Sequence, residues 1–159
     1  MKQKVVITVI LIASWVTMPD TLPDWLQPLI YPLQHANIFH LAANIICLWM
    51  MSCRLNIHIT YPIAVLAALI PSPSLSEIIY NIPHEQTMGF SGVLFAIAGM
   101  AWGKTGQLKR MVKSNIPIIL ITAFIPHVNA LIHLYCLLMA YAVQTFLSSV
   151  QSGKTALNR

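Results

Sequence analysis

Carboxylates are scarce in this chain. Among 159 residues there are four, Asp20, Asp24, Glu77 and Glu85, and none lies within an apolar stretch. Charged residues of both signs make up 8% of the sequence against 57% hydrophobic, with a mean hydropathy of +0.72. An ordinary soluble domain carries about 25% charged residues, so that class is excluded. Without carboxylates in apolar surroundings, a paired-aspartate hydrolytic site is excluded too. A zinc site of the HExxH kind is also missing, because His84 and Glu85 are followed at the required position by Met88. The three cysteines, Cys47, Cys53 and Cys136, form no CxxC pair and sit in or at the ends of apolar stretches. They read as small buried packing residues rather than a disulfide or metal framework. No metal and no cofactor is expected.

What is abundant is apolar sequence in blocks. Stretches at roughly 5–17, 37–53, 57–71, 89–103, 115–125 and 128–150 are separated by proline-rich or charged breaks. The expected fold is an all-α membrane protein of one domain, residues 1–159, with six transmembrane helices. Several stretches fall short of the ~20 residues that cross a hydrocarbon core, so they must tilt, thin the bilayer or begin below its surface.

The placement of charge orients these stretches. With the N-terminus inside, Lys2, Lys4, Arg54, Lys104, Lys109, Arg110, Lys113, Lys154 and Arg159 all fall at the inner face, and all four carboxylates fall outside. That is the positive-inside pattern with both ends in. The net charge of +5 therefore points to membrane orientation and anionic lipid, not to nucleic acid. A bacterial cytoplasmic membrane and a multi-pass protein are expected. The first stretch also has the basic start and short apolar run of a signal peptide, but no small-x-small cleavage pattern. It is read as a retained helix, with cleavage left open.

Against this background a few polar residues stand out. Gly89, Phe90, Ser91 and Gly92 open the fourth stretch, and a serine between glycines at a helix start is a nucleophile pattern. The glycines permit a sharp turn and a close approach of substrate backbone. The helix N-terminus offers free N–H groups to an oxyanion. A helix start in a small-residue packing seam, built on Gly92, Ala96, Gly99 and Gly103, is the plainer alternative.

From Ser91 only about 13 residues, some 20 Å of helix, reach the inner charges, so the serine must lie beneath the outer surface. In the second stretch His40 and Asn44 are four apart and share a helix face, with His35 nearer the outer mouth. They are either a site or interhelical hydrogen-bond partners. His133, in the outer half of the last stretch, and His40 are the two bases at the depth of Ser91. Phe95, four residues after Ser91, either stacks on a catalytic ring or packs plainly. The fifth stretch, Asn115 to Ile125, is short and flanked by Pro117 and Pro126, which makes it a candidate tilted element or lateral gate.

In that order the strings HANIFHLAAN, GFSGVLFAIAG and NALIHLYCLLMAY resemble the rhomboid family of intramembrane serine proteases, over nearly the whole chain. The resemblance implies Ser91 as nucleophile and His133 as general base. It implies His40, Asn44 and the Ser91 N–H as oxyanion donors, with His35 as the further histidine of the second-helix motif. Phe95 falls where the family often has an aromatic residue on the catalytic histidine. Transmembrane protein substrates and membrane lipids are the implied partners; oligomeric state is unknown.

Two departures are visible. Cys136 and Ala140 stand where the family commonly has glycines, which implies looser helix packing. The Trp-Arg pair of the first outer loop is missing, since Leu26 follows Trp25. Two other readings remain open: a rhomboid-like protein that binds membrane segments without cutting them, and a haem-binding bundle using His40 and His133 as axial ligands.

Overall fold

The computed structural model describes residues 2–17, 30–51, 88–125 and 128–157, with Pro23 and Leu26 between the first two segments; side chains are described as far as residue 153. Outside these lie the third apolar stretch with His58, as well as Cys53, Arg54, Trp25, His84 and all four carboxylates.

Five α-helices occupy the described residues: α1 (Lys2–Thr17), α2 (Ile38–Met50), α3 (Ser91–Thr105), α4 (Leu108–Thr122) and α5 (Ala130–Leu157), with a short 3-10 turn at Tyr31–Leu33. Among the described residues one helical segment, Ala130–Gly153, is long and apolar enough to cross a membrane, and α2 is a shorter apolar helix. The outward faces are apolar: Val16 on α1, Met50 on α2, Ile121 on α4 and Phe124 just beyond it are among the most exposed side chains. An apolar exterior on this scale belongs in lipid.

Asparagine starts both histidine-bearing helices. The Asn37 side chain accepts from the backbone N–H of His40 at 2.9 Å. Asn129 Oδ1 accepts from the N–H groups of Leu131 and Ile132 at 3.2 and 3.3 Å. Each cap satisfies a first-turn donor that would otherwise lack a partner. His40 and His133 are therefore fixed within the first turns of α2 and α5.

Packing centres on α3. On one side Phe90 and Leu94 join Leu11, Leu41 and Leu48, tying α3 to α1 and α2. On the other, Ala96, Ile97 and Met100 meet Ile132, Cys136 and Ala140 of α5. Among the described helices the α3–α5 pair makes the most extensive contact, and two glycines set how close it is. A Cβ at Gly99 would collide with the Leu137 carbonyl oxygen, and one at Gly103 would lie 2.7 Å from the Tyr141 carbonyl oxygen. The looser packing expected from Cys136 and Ala140 is thus not found. Both residues are fully buried, and the close approach is supplied by glycines on the facing helix instead.

Helix directions follow from these contacts. The starts of α2, α3 and α5 share one end of the bundle, where Gly89 meets His40 and Ser91 meets His133. α1 runs antiparallel to α2. At one end Lys4 Nζ donates to the backbone carbonyls of Trp49 and Met51, capping the C-terminus of α2 with a positive charge. At the other, Ser14 of α1 lies beside Leu33, its Oγ 3.3 Å from the Leu33 carbonyl oxygen.

Four further expectations are corrected. The fifth stretch was expected to begin at Asn115 after a basic loop, but α4 starts at Leu108 and carries Lys109, Arg110 and Lys113 in its first turns. The reversal is confined to Gly106, whose φ of +65° ends α3, and Gln107. Pro117 lies inside α4 rather than at its edge. α5 continues to Leu157, beyond the expected 150. Cys47 is exposed on α2, so only Cys136 of the described cysteines is a buried packing residue.

Candidate active site

α3 begins at Ser91 itself, with Phe90 as the N-cap. Phe90 offers no side-chain acceptor, so nothing from the cap residue covers the first-turn N–H groups beside the serine. Gly89, just before, has φ +111°, a conformation that side chains other than hydrogen rarely adopt. Its backbone N–H donates to the Tyr31 carbonyl at 2.9 Å, which pins this turn to the 3-10 segment. A Cβ at Gly89 would lie 2.6 Å from His40 Nε2 and 3.6 Å from Asn44 Nδ2. Both strain and space thus require glycine here: the His40 ring packs where a side chain would go, with the Asn44 amide beside it. Gly92, next after Ser91, is buried.

Ser91 Oγ and His133 Nε2 are 2.8 Å apart, across 42 residues of sequence. His133 is 4% exposed. Its ring lies on Phe95, with centroids 4.6 Å apart and planes at 24°. The other ring nitrogen, Nδ1, is 3.3 Å from Thr122 Oγ1, at the end of α4. Sequence reasoning passed over Thr122.

Asn44 is buried, and its Nδ2 donates to the His40 carbonyl one turn back at 3.0 Å. An amide nitrogen carries two hydrogens, so one N–H remains. His35 approaches His40 edge-on, with centroids 5.3 Å apart, and its Nδ1 is 3.2 Å from the Leu33 carbonyl. It stands behind His40 and makes no described contact with Ser91 or His133. Ser91, His133 and Phe95 therefore form one group, and His40, Asn44 and Gly89 a second beside it.

A family model described as a Rhomboid domain matches residues 23–151, most of the chain. The chain belongs to the rhomboid family. No curated protein and no solved structure matches it. Rhomboid proteins are integral membrane proteins, generally serine intramembrane proteases that act on transmembrane substrates.

As a rhomboid, the chain gives the haem alternative little room. An axial ligand needs a free imidazole nitrogen, and on His133 Nε2 faces Ser91 while Nδ1 faces Thr122. Thr122 had one sequence signal in its favour. Met111, Asn115, Ile119 and Thr122 are spaced 4, 4 and 3 apart, one face of a helix, and the first three are the buried residues of α4. Asn115, Ile119 and Thr122 already lie in the fifth stretch, and Met111 joins them once the helix is started at Leu108.

Proposed function

We propose that this rhomboid protein is an active intramembrane serine endopeptidase, with Ser91 as nucleophile and His133 as general base. The observation that carries the reading is the 2.8 Å separation of Ser91 Oγ and His133 Nε2, inside the range of an O–H···N bond. In the reaction Ser91 Oγ attacks the carbonyl carbon of a peptide bond as its proton passes to Nε2. The tetrahedral oxyanion collapses, the C–N bond breaks, and His133 returns the proton to the leaving amine. Water then repeats the sequence on the acyl-enzyme, leaving a free carboxylate and restoring the Ser91 hydroxyl.

The oxyanion is held by the Ser91 N–H, the second N–H of Asn44 and the His40 ring. Supporting this is the packing of His40 and Asn44 on Gly89, two residues before the serine. Phe95 keeps the His133 ring from rotating by stacking on its face. His35 backs His40 in turn.

The proposal includes six spans with both ends at the cytoplasmic face of a bacterial membrane. It is supported by the position of every lysine and arginine, and by the common end at which α2, α3 and α5 begin. The site then lies in the outer half of the bilayer. The substrate is a membrane-spanning segment that unwinds locally, since an intact helix keeps its carbonyls bonded.

The test is cleavage of a reconstituted transmembrane substrate by purified protein in liposomes. Wild type yields two fragments, and Ser91→Ala yields none while remaining folded. Equal cleavage by Ser91→Ala refutes the assignment, and substrate binding without cleavage by wild type leaves the non-cutting homologue as the correct reading.

A further inference from the structure

Thr122 touches His133, and the peptidase reading gives it no task. Its hydroxyl carries a single hydrogen. Thr122 Oγ1 lies 2.7 Å from the Ile119 carbonyl oxygen, a group that only accepts, so the hydrogen is committed there. The oxygen that faces His133 Nδ1 at 3.3 Å can therefore only accept. For that contact to be attractive Nδ1 must carry the ring proton. A neutral imidazole has one such proton, so Nε2 is left bare in front of Ser91.

Resting on the Ser91/His133 assignment, we propose that Thr122 is a positioning residue for the base. It holds His133 in the tautomer whose Nε2 accepts the serine proton. The hydrogen-bond chain runs one way, from Ser91 O–H to Nε2, from Nδ1–H to Thr122 Oγ1, and from Thr122 O–H to the Ile119 carbonyl. When His133 takes the serine proton, Nδ1 keeps its own proton and its acceptor, and nothing moves onto Thr122. This is the orienting task that a carboxylate performs in a serine triad, done here by a neutral oxygen; every carboxylate of the chain lies outside the described residues.

The 3.3 Å distance is long for an N–H···O bond in the resting state, as such contacts often are before substrate binds. Because Thr122 is the last residue of α4 whereas Ser91 and His133 belong to α3 and α5, the tautomer preference of the base depends on the position of the end of α4.

The experiment uses full-length protein in liposomes and a transmembrane substrate. Wild type and His133→Ala are run first: cleavage by the former alone shows that the peptidase assignment stands. Thr122→Val, which keeps size and branching but removes the hydroxyl, is expected to lower kcat about tenfold with KM nearly unchanged. Thr122→Ser, which keeps the hydroxyl, is expected to stay within about threefold of wild type. Nitrogen-15 NMR of labelled histidine, assigned with His133→Ala, reads the tautomer without any cleavage. A proton on Nδ1 in wild type and Thr122→Ser, with a mixture in Thr122→Val, supports the proposal. Equal kcat in Thr122→Val and wild type, or equal losses in the valine and serine variants, overturns it. If Thr122→Val fails to fold, Thr122→Ser and Thr122→Ala replace it as the deciding pair, and equal kcat in those two overturns the proposal. Absent cleavage by wild type instead removes the peptidase assignment, and the NMR then decides the tautomer separately.

Discussion

Replacing Gly99 by alanine adds one methyl group at the tightest point of the α3–α5 seam. The new Cβ would collide with the Leu137 carbonyl oxygen and lie 3.1 Å from both the Leu137 carbonyl carbon and the Tyr141 nitrogen. All of these are backbone atoms, so no side chain can rotate away. Restoring ordinary contact distances requires the two helices to separate by on the order of 1 Å. Gly99 lies eight residues from Ser91, about 12 Å along the helix, and no flexible turn interrupts the path.

Added to the 2.8 Å between Ser91 Oγ and His133 Nε2, a separation of that size takes the pair beyond hydrogen-bonding range. A misplacement of about 1 Å at a catalytic pair lowers the rate by about 100-fold. Overpacking itself destabilises by ~1–3 kcal/mol. Gly153→Ala is the control, because a Cβ there meets nothing within 4 Å. The assay is initial cleavage rate in liposomes at saturating substrate, beside an unfolding measurement on each variant. A Gly99→Ala rate within twofold of wild type would show that the seam does not set the geometry of the site.

Three further outcomes follow from the same contacts. Asn44→Ala should leave a slow but measurable cleavage, reduced by ~3–4 kcal/mol of barrier, with little change in KM; complete loss would make Asn44 structural rather than an oxyanion donor. Asn129→Ala removes the acceptor of the Leu131 and Ile132 N–H groups and should cost about 1 kcal/mol of stability, read by thermal unfolding in detergent; an unchanged midpoint contradicts the capping role. Phe95→Leu removes the stacked partner of His133 and should lower kcat several-fold, by the ~0.5–1.5 kcal/mol of an aromatic pair, whereas Phe95→Tyr should retain the rate.

The residues that were legible in sequence are those whose chemistry clashes with a bilayer. Ser91, His40, Asn44 and His133 are conspicuous because polar groups in apolar stretches need a reason, and their spacing places them at one depth. The start of α3 at Ser91 was legible as well, since Gly89 and Gly92 bracket it.

Thr122 was hidden for the opposite reason. A threonine near a helix end commonly bonds its own backbone, as this one does with Ile119, and its second contact depends on which face of α4 turns inward. That face was not read, because Lys109, Arg110 and Lys113 looked like a loop and the helix was taken to start at Asn115. In the structure they are the charged start of a helix whose apolar end carries Ile118, Leu120 and Ile121 outward. The close α3–α5 approach was legible in the small-residue stripe of Gly92, Ala96, Gly99 and Gly103; only the replacement of the family's glycines by Cys136 and Ala140 pointed the other way. Small residues on either partner suffice to bring two helices together.

The central claim is that Ser91 is a nucleophile activated by His133. It is tested most directly by treating purified protein with a fluorophosphonate and mapping the adduct by peptide mass spectrometry. The account predicts a single phosphonylated residue, Ser91, in wild type, and none in His133→Ala or Ser91→Ala. An unmodified Ser91 in folded wild-type protein, or one modified equally fast in His133→Ala, would contradict it.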